Sequence, residues 1–415
     1  MNHLTRALAV LALTAGIAAA QEGSVGYTPG QRGTAEGLRA WLAEFAPRAL
    51  AAGISAPVLD PALASITFLP DVVEKDRRQD EFTRAIWDYM DRAVSDDRIA
   101  LGRKAMIKHK DLLDRIEGTY GVDAAYVVAI WGLESSYGAV RGDIPTLSAL
   151  ATLAYDGRRG VYFEGELLQT LRMLQSGDAD LTDLRGSWAG ATGHTQFMPT
   201  SFWTIAVDFD GDGRRNLWGE DPGDALASTA AYLKESGWKT GQDWGYEIVL
   251  PPGFDWELAG NRTQKPMAFW AAKGISRADG GALPADQWAS LLLPAGHRGP
   301  ALMVLDNFGA VETYNLADAY VIAVCHLADR LRGGAPFQHP WPRDLRVLTL
   351  AERMDLQQKL TLAGFSTAGV DGRIGPRTLN AIKAYQRAQG LVVDGFASPD
   401  LLDRLRRSQA GNARP

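Results

Sequence analysis

Glu134 is the first residue whose type and position could do acid–base chemistry. It lies near the end of an apolar stretch in the segment AIWGLESSYG, beside Trp131 and Leu133. Burial against such neighbours disfavours the charged form, so we expect its pKa to lie above the ordinary value for glutamate. A carboxylic acid that is still protonated near neutral pH can donate a proton to a leaving oxygen. Position alone leaves open the alternative of a solvated glutamate at a helix end.

A second candidate for chemistry is the segment GSWAGATGHTQFMPTSF, residues 186–202. Its small residues, such as Gly193, allow the backbone to approach another surface closely. Gln196 offers both a donor and an acceptor, which suits sugar hydroxyl and acetamido groups. Ser187 could hold a nearby carboxylate in position, and Pro199 is expected to begin a helix. Read in isolation, the segment could equally be a tight packing loop.

The third candidate is an acidic loop, DFDGDGRRNLWGEDPGD, which follows the spacing of a calcium-binding EF-hand loop. Three carboxylates, a glycine and a backbone carbonyl occupy positions 1, 3, 5, 6 and 7, and they belong to Asp208, Asp210, Asp212, Gly213 and Arg214. Position 12 is Gly219 rather than glutamate, so the closing ligand must come later, from Asp224, Asp221 or Glu220. Such oxygen ligands suit a hard cation such as Ca²⁺. The alternative is a solvated turn.

Three tyrosines and an asparagine form the fourth candidate set. They are Tyr232, Tyr314, Asn315 and Tyr320. A tyrosine ring is apolar while its hydroxyl forms hydrogen bonds, a combination that suits contact with a sugar. Singly, each tyrosine is more often an ordinary core or surface residue.

The elements that must position these residues are mostly helices. Apolar spacing predicts helices around residues 38–45 and 82–90, a helix buried on every side at 124–133, one ending at Gly177, and one with Asp224 as its N-cap. Between about 245 and 310, the runs YEIVL, WASLLL and ALMVL are bounded by proline and glycine and predict strands of a small sheet. The fold class is therefore mainly α with a small β element.

Length and composition exclude several classes of protein. The chain has 415 residues, which predicts two or three domains. Lys+Arg number 43 against 49 Asp+Glu, so no basic excess indicates a nucleic-acid partner. One cysteine, Cys325, rules out an intrachain disulfide framework, and its apolar surroundings predict a buried core residue.

The N-terminal residues 1–20 have the pattern of a secretory signal peptide. Arg6 precedes an apolar run that ends in Ala18-Ala19-Ala20. No cysteine follows this run, so we expect no lipid anchor there, and no other stretch reaches the length of a membrane span. The sequence therefore predicts a soluble, exported mature protein.

A proline-rich break separates a C-terminal segment from the rest. Residues 333–344 contain three prolines and two glycines, which is typical of a linker of limited flexibility. Beyond it, two Asp-Gly turns repeat, VDGRIG at 370–375 and VDGFAS at 393–398. Each predicts a turn that precedes a helix.

Taken together, these motifs resemble the lytic murein transglycosylase B family over residues 35–332. The motifs that carry the likeness are AIWGLESSYG, GSWAGATGHTQFMPTSF, DFDGDGRRNLW, DALASTAAYLKESGW and YNLADAY. The resemblance implies a lysozyme-like, mostly helical fold. It also implies cleavage of the β-1,4 bond between N-acetylmuramic acid and N-acetylglucosamine in peptidoglycan.

The resemblance also implies roles for individual residues. Glu134 matches the catalytic glutamate. The sugar cleft is implied for Ser187, Gln196, Tyr232, Tyr314 and Tyr320, and the calcium loop for Asp208, Asp210, Asp212, the Arg214 carbonyl and Asp224. Two features depart from the family pattern: the stretch before Asp224 is longer, which leaves the closing ligand open, and Thr192 replaces a larger apolar residue.

The C-terminal segment resembles a three-helix peptidoglycan-binding module. Its motifs are LQQKLTLAGF, VDGRIGPRTLNAIKAYQRAQGL and VDGFAS, within residues 355–407. The expected organisation is a signal peptide at 1–20, a catalytic domain at 35–332, a linker at 333–350 and the wall-binding module at 351–407. We therefore expect a periplasmic protein whose partner is the glycan strand, with a structural Ca²⁺ and no organic cofactor.

The resemblance implies a mechanism with one carboxylate. Glu134 protonates the glycosidic oxygen and then accepts the proton of the muramic acid 6-hydroxyl, which attacks the anomeric carbon and forms a 1,6-anhydro end. An alternative is a hydrolytic muramidase that uses Asp143 or Asp156 as a second carboxylate. Another is an inactive scaffold that only binds the wall.

Overall fold

A computed structural model describes residues 33–77, 85–260 and 263–412, with side chains up to residue 409. The chain divides into two compact units. The described part of unit 1 covers residues 33–77 and 96–236, and that of unit 2 covers residues 85–95, 237–260 and 263–412. The predicted signal peptide, residues 1–20, lies outside the described residues.

Unit 1 is built almost entirely from helices, which are numbered in chain order across both units. Its helices are α1 (Ala35–Ala51), α2 (Ala56–Ser65), α3 (Pro70–Arg77), α5 (Asp96–Lys108), α6 (Lys110–Tyr120), α7 (Ala124–Ser135), α8 (Thr146–Asp156), α9 (Gly160–Ser176), α10 (Pro199–Ile205) and α11 (Gly223–Glu235). Two short antiparallel strands, β1 (Ile144–Pro145) and β2 (Arg185–Gly186), pair between them. Two predicted helix boundaries are confirmed. The helix α9 ends at Ser176, directly before Gly177, and α10 begins at Pro199.

The helix α7 is buried on every side, as its apolar sequence predicts. Every residue from Ala125 to Gly132 is buried. The side chain of Asp123 accepts a hydrogen bond from the backbone N–H of Ala125 at 2.7 Å and caps the N-terminus. Because α7 is packed in the core, the backbone of its last turn, which carries Glu134, is held in a fixed position.

The start of α11 differs from the prediction. The N-cap position is occupied by Pro222, and Asp224 lies in the first turn of the helix. The Asp224 carboxylate accepts hydrogen bonds from the backbone N–H groups of Phe209 and Asn216, both at 2.7 Å. The prediction of Asp224 as N-cap is wrong because this side chain binds the acidic loop instead of its own helix.

Unit 2 contains the sheet. Its helices before the C-terminal segment are α4 (Ile86–Ala93), α12 (Met267–Ala272), α13 (Asp306–Glu312) and α14 (Asp318–Leu331). Five antiparallel strands run in the spatial order β4-β6-β7-β3-β5, and they are β3 (Gly245–Val249), β4 (Lys265–Pro266), β5 (Ser276–Arg277), β6 (Trp288–Leu292) and β7 (Ala301–Val304). The three predicted strands are β3, β6 and β7. Cys325 is fully buried in α14, as predicted.

The C-terminal segment forms three helices, α15 (Leu350–Leu362), α16 (Pro376–Ala388) and α17 (Pro399–Asn412). They enclose a core that includes Leu356, Ile382 and Leu405. Thr349 begins α15 with a reciprocal capping box to Glu352. The three-helix prediction for this segment is therefore confirmed.

The proline-rich segment 333–344 lies against other residues of unit 2. The backbone N–H groups of Gln338 and His339 both donate to the Glu247 carboxylate, at 2.6 and 2.7 Å. The ring of Phe337 stacks on His326 with the centroids 4.0 Å apart. These contacts fix the path of the segment on the body of unit 2.

Within the described residues, no single helix has the length and apolar composition needed to cross a membrane. The pair α2 and α3 meets that criterion only when the two helices are taken together, and they bend by 82° at the break between them.

Candidate active site

Glu134 is the penultimate residue of α7 and is half-buried. The chain then turns sharply, because Ser136, Tyr137 and Gly138 have φ values of 51°, 60° and 84°. Two of these three residues are not glycine, so the left-handed conformation costs energy that other contacts must offset. Strain of this kind, directly after a glutamate, marks the position as a candidate site.

Side chains from other parts of unit 1 hold this turn. The Tyr137 hydroxyl donates to the backbone carbonyl of Arg98 at 2.8 Å, and burial raises the pKa of Tyr137 to about 12, which keeps it a donor. The Arg98 guanidinium donates in turn to the carbonyl of Gly132 in α7. The backbone N–H of Gly138 donates to the Ser135 hydroxyl at 3.0 Å. The turn is therefore fixed on both sides of Glu134.

His194, from the segment 186–202, packs against the same turn. Its Nδ1 accepts a hydrogen bond from the indole Nε1 of Trp131 at 3.1 Å, and its Nε2 lies 2.7 Å from the carbonyl of Gly219. Its backbone carbonyl accepts the hydroxyl of Ser135. Burial lowers the pKa of His194, so the neutral imidazole is favoured.

The segment 186–197 folds as a tight loop. Thr192 and Phe197 exchange two backbone hydrogen bonds, both at 3.0 Å. Gly193 has a φ of 78°, and a Cβ there would lie 2.5 Å from the carbonyl oxygen of Leu217, so only glycine fits. The close approach that the glycines predict is thus present: the segment packs tightly and lies against the turn that follows Glu134.

Ser187 and Gln196 both bind their own surroundings. The Ser187 hydroxyl accepts the backbone N–H groups of Ala189 and Ala191, at 3.3 and 3.1 Å, which leaves its proton to be donated. Gln196, with φ at 55°, uses its amide nitrogen to donate to the carbonyls of Arg141 and Gly193, at 3.0 and 2.8 Å. Its amide oxygen accepts no hydrogen bond from the described part of the chain, so the hydrogen-bonding capacity left to Gln196 is that of an acceptor.

The buried carboxylate of Glu166 and the half-buried guanidinium of Arg215 anchor the far end of this segment. Glu166 of α9 accepts the backbone N–H and the hydroxyl of Thr200, both at 2.9 Å, at the start of α10. The guanidinium of Arg215 packs over the rings of Phe202 and Trp203, 4.5 and 4.6 Å from their centroids. These contacts tie α10 to α9 and to the acidic loop.

The four aromatic and amide candidates lie in both units. Tyr232 is buried in α11 of unit 1, and its ring stands edge-on to that of Phe197 with the centroids 6.0 Å apart. Tyr314, Asn315 and Tyr320 belong to unit 2, in the turn after α13 and the first turn of α14. Asn315 is exposed, and its side chain accepts the backbone N–H of Ala317 at 3.0 Å. Of the candidate residues, Glu134, Ser187, Gln196 and Tyr232 therefore belong to unit 1.

The acidic loop gathers three exposed carboxylates. Asp208, Asp210 and Asp212 each place one oxygen within 4.8 Å of the others. The loop backbone orients them, since Asp208 accepts the N–H groups of Gly211 and Gly213 at 2.8 and 2.9 Å. This donor set fits a divalent cation.

Asp224 lies behind the acidic loop and is almost fully buried. Burial raises the pKa of Asp224, and the charges of Asp210 and Asp208 add to the rise. Its two carboxylate oxygens bind the backbone N–H of Phe209, between the first two aspartates, and that of Asn216, beyond the third. The Asp224 side chain thus fixes the backbone of the loop at two points by hydrogen bonds.

The two alternative second carboxylates have different surroundings. Asp156 is buried at the end of α8 and accepts a hydrogen bond from Arg77 at 2.6 Å. Burial raises the pKa of Asp156. Asp143 is exposed, one residue after Gly142, whose position leaves no room for a Cβ against Gly186.

Sequence reasoning missed the residues that hold the candidate site. They are Arg98, Arg141, Glu166, His194 and Arg215. His194 stands inside a motif that was already singled out, so its position was available as a signal. The contacts of Arg98 and Glu166 depend on helix packing and have no local signal in the sequence.

Comparisons with known proteins identify the family of the chain. A family model for the transglycosylase SLT domain matches residues 37–329, and one for a peptidoglycan binding domain matches residues 349–405. Membrane-bound lytic murein transglycosylase B of Escherichia coli K12 is 37% identical over 246 residues, which are 58% of this chain and 65% of that protein. The match therefore spans just under two thirds of that relative.

Two solved structures extend the likeness. SltB3 from Pseudomonas aeruginosa, in complex with NAG-anhNAM-pentapeptide, is 47% identical with a TM-score of 0.87, covering 89% of this chain and 99% of that one. The Escherichia coli lytic transglycosylase Slt35 in complex with calcium is 32% identical with a TM-score of 0.60, covering 71% and 92%. The predicted family and the predicted lysozyme-like, mostly helical fold are both confirmed.

Proposed function

The chain belongs to the transglycosylase SLT domain family, and from that premise we propose that it is a lytic transglycosylase of peptidoglycan. It cleaves the β-1,4 bond between N-acetylmuramic acid and N-acetylglucosamine without water and leaves a 1,6-anhydromuramic acid end. The observation that carries this proposal is Glu134, a single glutamate at the end of a buried helix, followed by a strained turn that several side chains hold. A relative of the same family was crystallised with a muropeptide of the anhydro type.

In the proposed mechanism Glu134 acts twice. Its carboxylic acid gives a proton to the glycosidic oxygen as the bond from that oxygen to the anomeric carbon breaks. The carboxylate then takes the proton of the muramic acid 6-hydroxyl, whose oxygen bonds to the anomeric carbon and closes the anhydro ring. This step restores the acid, so one carboxylate is sufficient.

The nucleophile belongs to the same sugar as the reacting carbon. Intramolecular attack gains from proximity, and the substrate N-acetyl group can share the developing positive charge, as in other substrate-assisted glycosidases. The ion pair between Asp156 and Arg77 supports a mechanism without a second carboxylate, because it gives Asp156 a structural partner.

The remaining site residues bind the glycan. Gln196 accepts from a sugar hydroxyl or acetamido N–H through its amide oxygen, and the Ser187 hydroxyl donates. Tyr232, Tyr314, Asn315 and Tyr320 complete the substrate-binding set. Support comes from the free hydrogen-bonding capacity of Ser187 and Gln196, which belong to the loop 186–197 that packs on the Glu134 turn.

The acidic loop binds a structural Ca²⁺. Asp208, Asp210, Asp212 and the Arg214 carbonyl would hold the ion, with Asp224 closing the loop. Support comes from the clustering of the three carboxylates and from a related enzyme that was crystallised with calcium. When bound, the ion supplies positive charge that offsets the repulsion among these carboxylates.

The C-terminal helices bind the wall, and the protein acts outside the cytoplasm, in the periplasm. Residues 35–332 form the catalytic domain, 333–350 a linker and 351–407 the wall-binding module, after removal of residues 1–20. Attachment to the polymer raises the local concentration of the catalytic domain on its substrate.

Digestion of purified peptidoglycan in ¹⁸O-labelled water tests the reaction type. We expect no ¹⁸O in the released muropeptides, because no water enters the new bond. Incorporation of one ¹⁸O at each muramic acid end would contradict the proposal and favour a hydrolytic muramidase.

A further inference from the structure

His194 is bonded to residues on both sides of Glu134. Trp131, three residues before Glu134, donates to its Nδ1 at 3.1 Å, and Ser135, the next residue, donates to its backbone carbonyl. Residues 131 and 194 are 63 positions apart in the chain. His194, in the loop 186–197, is therefore hydrogen-bonded to the C-terminal end of α7 at two points.

We propose that His194 is a positioning residue for Glu134, which holds the carboxylate in place through Trp131 and Ser135. This inference rests on the proposed role of Glu134 as the acid. It assigns to His194 a function beyond filling space in the core.

The two ring contacts require a particular protonation state of His194. The indole Nε1 of Trp131 can only donate, so Nδ1 of His194 carries no proton. Nε2 therefore carries the proton and donates it to the carbonyl of Gly219, 2.7 Å away. Nη1 of Arg141 also lies 3.3 Å from Nε2, but it donates to the same Gly219 carbonyl at 2.7 Å rather than to the ring. A phenylalanine would fill the same volume but could form neither bond.

The acceptor of this second bond is itself fixed. The Arg141 guanidinium donates to the carbonyls of Gly219, at 2.7 Å, and Trp218. The backbone N–H of His194 also donates to the carbonyl of Leu217 at 3.0 Å. The ring thus connects α7 to a rigid stretch of backbone at residues 217–219.

The strained turn lies directly on the ring. A Cβ added to Gly138 would lie 2.6 Å from Nδ1 of His194, so the turn has no room to move towards it. His194 is 4% exposed, and its ring stands edge-on to Trp131 at 5.7 Å between centroids. Rotation of the ring would release Trp131 and Gly138 together, and with them the end of α7.

Another histidine supplies a matched control. His109 packs edge-on against the same indole, with the centroids 5.6 Å apart. Among the described residues it forms no hydrogen bond with Trp131. Substitution of His109 therefore alters packing on the indole without removing a bond that positions Glu134.

Steady-state kinetics on a soluble glycan fragment, with melting temperatures, test the proposal. His194→Phe should lower kcat by about tenfold to a hundredfold and leave KM within about twofold, because a small displacement of the acid slows the chemical step without changing glycan contacts. His194→Asn places an acceptor near Nδ1 and should recover most of kcat. His109→Phe should retain the wild-type kcat.

Several results would overturn the proposal. A wild-type kcat in His194→Phe would do so, as would a lower kcat that is explained by a fall in melting temperature. A rise in KM with kcat unchanged, or equal losses of kcat in His194→Phe and His194→Asn, would also contradict it. If His194→Phe does not fold, Ser135→Ala removes the second contact with the ring intact, and an unchanged kcat there would count against the proposal.

The two proposals fail separately. If Glu134→Gln is inactive while His194→Phe is fully active, only the positioning role is wrong. If Glu134→Gln keeps its activity, the assignment of the acid is wrong, whatever the His194 variants show.

Discussion

Two turns of unit 1 carry the carboxylates with the clearest chemical signal, and the protein holds them in different ways. The turn after Glu134 has three successive positive φ angles and takes hydrogen bonds or close contacts from Arg98 and His194, which are distant in sequence. The acidic loop at 208–214 is exposed, and among the described residues its three aspartates accept hydrogen bonds from the loop's own backbone.

The difference indicates what each turn does. Backbone strain persists only where the surroundings fix it, and it recurs at sites where a reacting group needs one position. Three exposed carboxylates with oxygens within 4.8 Å repel one another until a cation binds. Changes at the first turn should therefore alter the rate, and changes at the second should alter stability.

The largest effect is expected from Glu134→Gln. Loss of the general acid should lower kcat by about 10²- to 10⁴-fold, and the melting temperature should hardly change because the two side chains have the same shape. Muropeptide release and thermal unfolding measure the two quantities. Glu164→Gln, on α9, is the control and should keep full activity; equal activity of both variants would remove the distinction between the two turns.

Gly138→Ala should cost both rate and stability. The left-handed φ costs alanine about 1–2 kcal/mol, and its Cβ would lie 2.6 Å from the His194 ring, so we expect a total of about 3 kcal/mol or more. Gly177→Ala has a similar φ of 79° but meets nothing within 4 Å, and should lose only the backbone part. Urea unfolding compares them; equal losses would show that the turn is not fixed by His194.

Calcium should act on stability more than on rate. Free Ca²⁺ at 100 times its Kd should stabilise the protein by about 2.7 kcal/mol, since the ion binds only the folded loop. Thermal unfolding after chelation and after Ca²⁺ addition measures this shift, and Asp208→Asn should abolish it. Asp60→Asn, on the exposed side of α2, should keep it; a shift that survives Asp208→Asn would place the ion elsewhere.

The smallest expected effect is a loss of stability in acid, and it arises from His326, which lies in neither turn. Burial lowers the pKa of His326 to about 4, whereas the unfolded chain has an ordinary value near 6.5. Between these values the unfolded state binds more protons, so stability is complete above pH 6.5 and falls as pH drops towards 4. At pH 5 this loss is about 2 kcal/mol.

Urea unfolding of His326→Gln from pH 7.5 to 5 tests this assignment. The variant should lose most of the acid dependence, while Glu134→Gln and Asp208→Asn should keep it. If the free energy of unfolding of His326→Gln fell with pH as much as that of the wild type, another group would be responsible for the loss of stability in acid.

Local patterns predicted a large part of the fold. The apolar sequence of α7 is recognisable because every face is buried, and the three longer strands follow from runs bounded by proline and glycine. The strands β4 and β5 have two residues each, too few to show an alternating pattern. The position of Glu134 at the helix end was predicted, but its strained turn was not.

Contacts between distant segments account for the rest. The repeated Asp-Gly turns illustrate this, because each is bound by a buried glutamine of a preceding helix: Gln357 binds Asp371, and Gln386 binds Asp394. The second turn also bonds His297, at 2.6 Å from Asp394, although the two turns begin with the same three residues. No local pattern distinguishes the two turns, just as none predicted the bonds of His194.

The most direct test of the central claim is the chemistry of the new muramic acid end. Peptidoglycan digested by the full chain is reduced with borohydride and analysed by mass spectrometry, with Glu134→Gln as the control. The account predicts 1,6-anhydro ends, which resist reduction, from the wild type and none above background from the variant. Reducible muramic acid ends from the wild type, or anhydro ends at the wild-type rate from Glu134→Gln, would contradict it.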